Sequence, residues 1–223
     1  MFSQFDLAKV REGVVLLIAL ILSVAVHEFG HAISADKLGD STPRHQGRVT
    51  LNPLAHIDPL GTLIFPIIAF VTSFGLLGWG RPVQINPVAF TRRLRMKTSH
   101  LIVAIAGPAM NVVLALLVTV LYAVLLLTNV LTPSHPVSGG LHLVIQLNWI
   151  LCFFNLLPCP PLDGGAVLAG LLPDRLDGVN QFLAQYGPFI LIGLLISGML
   201  SYFLLPAVLL ARQSILLVHS LVG

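Results

Sequence analysis

Residues 13–35 read GVVLLIALILSVAVHEFGHAISA, and Glu28 is the only charged residue among them. A run of that length and composition is enough to cross a bilayer as a helix. Within it, Val26-His27-Glu28-Phe29-Gly30-His31 sets two imidazoles four residues apart, on one helix face, with a carboxylate between them. The spacing is that of an HExxH zinc grip, whose histidines ligate the ion while the glutamate acts as general base. Two helix histidines that are merely packed or hydrogen-bonded are the alternative. Inside lipid that alternative weakens, because ionisable groups there are costly unless something uses them.

Composition agrees with a membrane setting. The chain has 223 residues, of which 56% are hydrophobic and 9% charged, and its mean hydropathy is +0.93. Soluble proteins carry roughly 25% charged residues, so this is an integral membrane protein. Its apolar runs are long and do not alternate, which favours helices over barrel strands. The net charge of +3 does not indicate nucleic-acid binding, since the basic residues cluster beside apolar segments. Cys152 and Cys159 are too few for a disulfide framework and read as packing residues. The N-terminal apolar stretch is too long for a cleavable signal. Residues 1–223 read as one membrane domain without repeats.

The expected architecture is an all-α polytopic membrane protein. It has about four transmembrane helices, a re-entrant hairpin, and a short β-strand region after the first span. Spans are expected near 13–37, 99–130, 141–157 and 186–210, with an interfacial tail after Arg212. Counting back from Lys37 puts His27 and His31 roughly 9–15 Å from the end of the first span. Arg44, His45 and Arg48 follow, which assigns that side to the cytoplasm. Gln46–Asn52 (QGRVTLN) alternates as a short strand would. Leu60–Gly80 carries no charge, yet basic residues flank it on both sides. With Pro66, Gly75 and Gly78 as places to bend, it reads as a re-entrant hairpin at 60–80.

From Thr98 to Leu162 there are 65 residues without Asp, Glu, Lys or Arg. Pro133, Pro136 and Gly139-Gly140 divide that run into two spans, the second returning to the side of the histidines. It delivers NLLPCPPLDGG at 155–165, where Pro158, Pro160 and Pro161 stop a helix and Gly164-Gly165 allow a sharp turn. A catalytic zinc wants three protein ligands and an open position, and Asp163 is the third ligand this topology offers. Its bland alternative is a loop aspartate capping the next helix.

The set of HEFGH, Ala106-Gly107-Pro108-Ala109-Met110-Asn111 and NLLPCPPLDGG resembles the intramembrane site-2 protease family. The resemblance covers about Val14 to Gly170. QGRVTLNPLAHIDPLGTLIFP and Gly78-Trp79-Gly80-Arg81-Pro82-Val83 further resemble its compact prokaryotic branch, which lacks PDZ and CBS domains. It implies one Zn2+ per chain on His27, His31 and Asp163, with Glu28 as general base, in a zinc metalloendopeptidase that cuts transmembrane substrates. Cys159 departs from the usual aliphatic residue without touching the ligands.

Asn155 fits a substrate-binding role, since its amide can bond a peptide carbonyl or an oxyanion; interhelical bonding is the alternative. Val49 and Leu51 are candidate substrate-binding positions if Gln46–Asn52 pairs with an unwound segment. His56 and Asp58 are candidates for supporting the ligands or for loop folding. Gly107, Pro108 and Asn111 suit close packing and capping. The expected setting is the prokaryotic plasma membrane with the active site opening to the cytoplasm. The expected partners are a transmembrane protein or peptide substrate and the lipid bilayer, not nucleic acid; a homo-oligomer or regulatory partner is left open. Two other classes compete: a metal or proton transporter using the same four residues as a relay, and a protease-like protein that binds a client without cutting it. The apolar outer parts of the spans argue against the first, and the intact Glu28 against the second.

Overall fold

A computed structural model describes residues 7–72 and 78–222. All regular structure among them is helical: α1 (Leu7–Lys37), α2 (Thr42–His45), α3 (Phe65–Thr72), α4 (Met96–Leu127), α5 (Pro136–Asn155), α6 (Asp163–Leu171), α7 (Asp177–Ile196) and α8 (Leu200–Val222). Five of these helices, α1, α4, α5, α7 and α8, are long and apolar enough to cross a bilayer. With large apolar side chains exposed along their outer faces, they make an integral membrane protein.

Three expectations are corrected. The short β-strand at 46–52 does not form. Residues 49–50 bend, the Thr50 N–H returns to the Arg48 carbonyl at 2.9 Å, and Arg48 reaches across to donate to the Ala55 carbonyl. Arg48 is only 5% exposed and ties the bend together. Five helices, not the expected four, are long and apolar enough to span, because 186–210 is not one helix. It breaks after Ile196, Gly198 takes the left-handed φ of +72° that glycine adopts without strain, and α8 restarts at Leu200. Where an interfacial tail was expected, α8 runs on through Arg212 to Val222.

Helix α4 is the hub, packed by α1, α5, α6 and α8. Close approach comes from small residues, as expected where no water drives helices together. A Cβ on Gly30 would come within 2.6 Å of the Ala106 carbonyl of α4, and Ala207 and Ala211 of α8 are buried. Leu20 and Val24 of α1 pack on Leu147 of α5. Tyr122 and Leu126 of α4 pack on Leu131 and Val218.

The helix directions follow from contacts near the far ends. The Tyr122 hydroxyl lies 2.8 Å from His219 Nε2, and the Tyr122 and His142 rings meet edge to face. The C-terminal end of α8 therefore sits beside the end of α4 and the start of α5, so α8 runs antiparallel to α5. Leu200 then lies on the side where α5 ends. Helix α7 starts on that same side, where Lys97 at the start of α4 pairs with Asp174 at 2.6 Å. Despite its length, α7 begins and ends on one side.

Of the expected hairpin at 60–80, residues 73–77 lie outside the described residues. Its two ends meet: the Trp79 N–H donates to the Gly61 carbonyl at 3.0 Å, and the Thr62 hydroxyl donates to the Trp79 carbonyl at 2.8 Å. Gly61 leaves room for the Trp79 indole, which a Cβ would strike.

Candidate metal centre

The helical spacing of HExxH does what it predicts. His27 Nε2 and His31 Nε2 come within 3.0 Å of each other on one face of α1. Both rings are buried against α4, 8% and 7% exposed. Asp163 completes a triangle, its Oδ2 lying 3.1 Å from His27 Nε2 and 3.3 Å from His31 Nε2.

The proline loop explains how Asp163 arrives there. α5 ends at Asn155, the chain turns through 156–162, and Asp163 opens α6. The turn is tight enough that a Cβ on Gly164 would strike the Leu156 and Leu157 backbone, and one on Gly165 would meet the Pro160 ring at 2.7 Å. Gly107 of α4 forms the floor, since a Cβ there would run into His31 Nε2.

The donor chemistry tests whether a metal fits. His31 Nδ1 lies 2.7 Å from the Val103 carbonyl. A carbonyl only accepts, so the ring proton sits on Nδ1 and Nε2 keeps its lone pair. His27 Nδ1 lies 2.7 Å from Asn111 Oδ1, which gives the same tautomer. Asp163 Oδ2 is buried and has no hydrogen-bond donor. With neutral rings, three acceptor atoms face one another, an arrangement a cation relieves. Zinc bonds of about 2.0–2.1 Å in a tetrahedral set would space ligand atoms about 3.3–3.4 Å apart. The observed 3.0–3.3 Å edges suit that ion.

Glu28 is 9% exposed, and its Oε2 accepts the Val83 N–H at 3.1 Å. The chain over 80–83 is held above it, with the Arg81 N–H donating to the His56 carbonyl at 2.9 Å. Arg48 also belongs to this neighbourhood. Its burial first, and Arg81 second, hold its guanidinium below the ordinary value, while Glu28 pulls the other way.

The remaining nominated residues lie in other settings. Asn155 ends α5 and donates from Nδ2 to the Leu151 carbonyl at 2.9 Å. His56 is buried with Nε2 2.9 Å from the Thr50 carbonyl. Asp58 caps the turn at Pro59–Ile64 by accepting the Leu60 and Gly61 N–H groups. Val49 and Leu51 lie in the bend, Leu51 exposed. The structure brings His27, His31 and Asp163 together, their ligand atoms all within 4.8 Å of one another. His56, Asp58, Val49 and Leu51 are not in that group.

Sequence reasoning missed Ser23, Asn148, Val83 and the role of Arg48, and gave Asn111 only a packing role. The available signal was polarity without charge inside long apolar helices.

Comparison with known proteins finds several relatives. The "Putative zinc metalloprotease YwhC" of Bacillus subtilis is 36% identical over 209 residues, covering 92% of this chain and 90% of that protein. The "Putative zinc metalloprotease Rip2" of Mycolicibacterium smegmatis is 32% identical over 194 residues, covering 86% and 70%. Its namesake in Mycobacterium tuberculosis is 32% identical over 184 residues, covering 82% and 66%. No family model and no solved structure matches the chain.

Proposed function

The chain belongs to the site-2 protease family of zinc metalloproteases, in its compact prokaryotic branch, and from that premise we propose an intramembrane endopeptidase. It holds one zinc ion through His27, His31 and Asp163. It hydrolyses a peptide bond in or near a transmembrane segment of a membrane-protein substrate. The observation that carries the reading is the triangle of His27 Nε2, His31 Nε2 and Asp163 Oδ2, three buried ligand atoms 3.0–3.3 Å from one another.

When bound, zinc supplies an acidified water and polarises the scissile carbonyl. Glu28, one residue from His27 on the same helix, takes the water proton and passes it to the leaving amine. The Val83 N–H bonded to Oε2 fixes the carboxylate's direction and leaves Oε1 for the proton. Asn155 keeps its Oδ1 free of the Leu151 contact and orients the substrate backbone. A substrate helix must unwind first, because its i→i−4 bonds shield the peptide.

The basic residues Arg44, Arg81, Arg92, Arg93 and Arg95 all lie on the side of the metal centre, which orients that side to the cytoplasm of a prokaryotic plasma membrane. The decisive experiment reconstitutes the full chain with a model transmembrane substrate. Cleavage is expected to vanish with a chelator and with Glu28→Gln, while the Glu28→Gln protein keeps its zinc. Persistent cleavage by Glu28→Gln would overturn the assignment.

A further inference from the structure

Both histidines must present Nε2 to the metal, yet the two rings are set by different means. His31 is set directly by a backbone carbonyl. His27 faces an amide, and an amide can offer either end. Building on the reading of His27 as a zinc ligand, we infer that Asn148, acting through Asn111, is a positioning residue that decides which nitrogen of His27 faces the metal.

The argument starts at an atom that can only accept. Asn148 Nδ2 lies 2.8 Å from the Val144 carbonyl one turn back in α5, and 2.8 Å from the Ser23 hydroxyl of α1. That fixes the amino end of Asn148 and turns its Oδ1 toward α4. Asn111 must answer an oxygen with a donor, and its Nδ2 lies 2.8 Å from Asn148 Oδ1. Its second N–H goes to the Ser23 carbonyl at 3.3 Å. Only Oδ1 of Asn111 is left for His27, at 2.7 Å from Nδ1. An oxygen there requires the proton on Nδ1, so Nε2 is left bare.

Ser23, Asn111 and Asn148 are all fully buried, so no water can stand in for a missing member. Without Asn148, Asn111 is anchored only by the longer bond to the Ser23 carbonyl. It can then turn over and offer its amino group to His27 Nδ1. The ring proton would move to Nε2, where it points at Asp163 and blocks the metal position. Packing alone would be served by a leucine at 148, at no cost in buried polarity. Second-shell partners of this kind govern metal affinity through ligand orientation.

The test measures zinc affinity of the purified full chain by competition with a chromogenic chelator, with the visible spectrum of the Co2+-loaded protein reporting ligand geometry. Asn148→Leu is expected to weaken zinc binding about 10–100-fold. Asn111→Asp offers His27 Nδ1 an acceptor whichever way it turns, but sets its second oxygen against Asn148 Oδ1, so it is combined with Asn148→Leu, which removes that oxygen. The double variant should bind zinc more tightly than Asn148→Leu alone, because a carboxylate cannot turn an amino group to His27.

A loss below about tenfold for Asn148→Leu overturns the inference. So does a double variant as weak as Asn148→Leu alone, which would assign the effect to packing. If leucine at 148 prevents folding, Asn148→Ala is read by the same criteria. Failure of the unaltered chain to bind zinc would instead remove the ligand assignment itself, a distinct result.

Discussion

One methyl group is enough to close the metal position. Gly107→Ala would push a Cβ into His31 Nε2 and to within 2.8 Å of His27 Cε1. Zinc content of the purified variant, measured by elemental analysis, is expected to fall to background with helical content unchanged by circular dichroism. At this scale the meeting of His27 and His31 was legible, because i, i+4 spacing encodes a shared helix face. Asp163 was legible because the prolines and glycines around it announce a turn. Asn111 was read as packing, and Asn148 and Ser23 went unnominated, for one reason. A single uncharged polar residue in an apolar run does not say which residue it meets, and Asn148 meets one 125 positions away. The strand at 46–52 was misread because period-two alternation cannot distinguish a strand from a bend tied by a buried side chain such as Arg48.

The loop that presents Asp163 is braced by α7. Gly187 sits against the Pro160 carbonyl so closely that a Cβ would strike it, and the Cys159 thiol donates to the Gly187 carbonyl at 3.0 Å. Gly187→Leu should shift the loop and weaken zinc binding about tenfold or more, by chelator competition. Gly193→Leu, on the same helix but facing open space, should leave the affinity unchanged. The division of 186–210 into two helices was not legible. Hydropathy continues smoothly through Ile196, Ser197 and Gly198, and 25 apolar residues match a bilayer's thickness. What breaks the helix is a backbone conformation, to which hydropathy is blind.

Across the whole molecule, one cation would join α1, through both histidines, to α6, through Asp163, with α4 tied in by the hydrogen bonds that the rings make to Asn111 and Val103. Free zinc at 100 times its dissociation constant would stabilise the fold by about 2.7 kcal/mol. Chelation should therefore lower the melting temperature by several degrees in differential scanning fluorimetry, at roughly 2–4 °C for each kcal/mol. Orientation can be read from whole cells, because Cys152 and Cys159 are buried and will not compete for label. An impermeant maleimide should reach Ser134→Cys on intact cells, and Arg92→Cys only after the membrane is opened. The helical membrane class was readable from composition alone. The directions of α7 and α8 were not, since they depend on the meeting of Tyr122, His142 and His219.

The separation of Asp163 from the two histidines also sets a schedule. His27 and His31 emerge from the ribosome with the first helix, while Asp163 comes more than a hundred residues later, after the third long helix. Until α6 docks, the nascent chain offers a metal two nitrogens instead of three ligands and holds it correspondingly weakly. Newly inserted protein is thus inert during synthesis, and its cutting power arrives only when the last ligand folds into place.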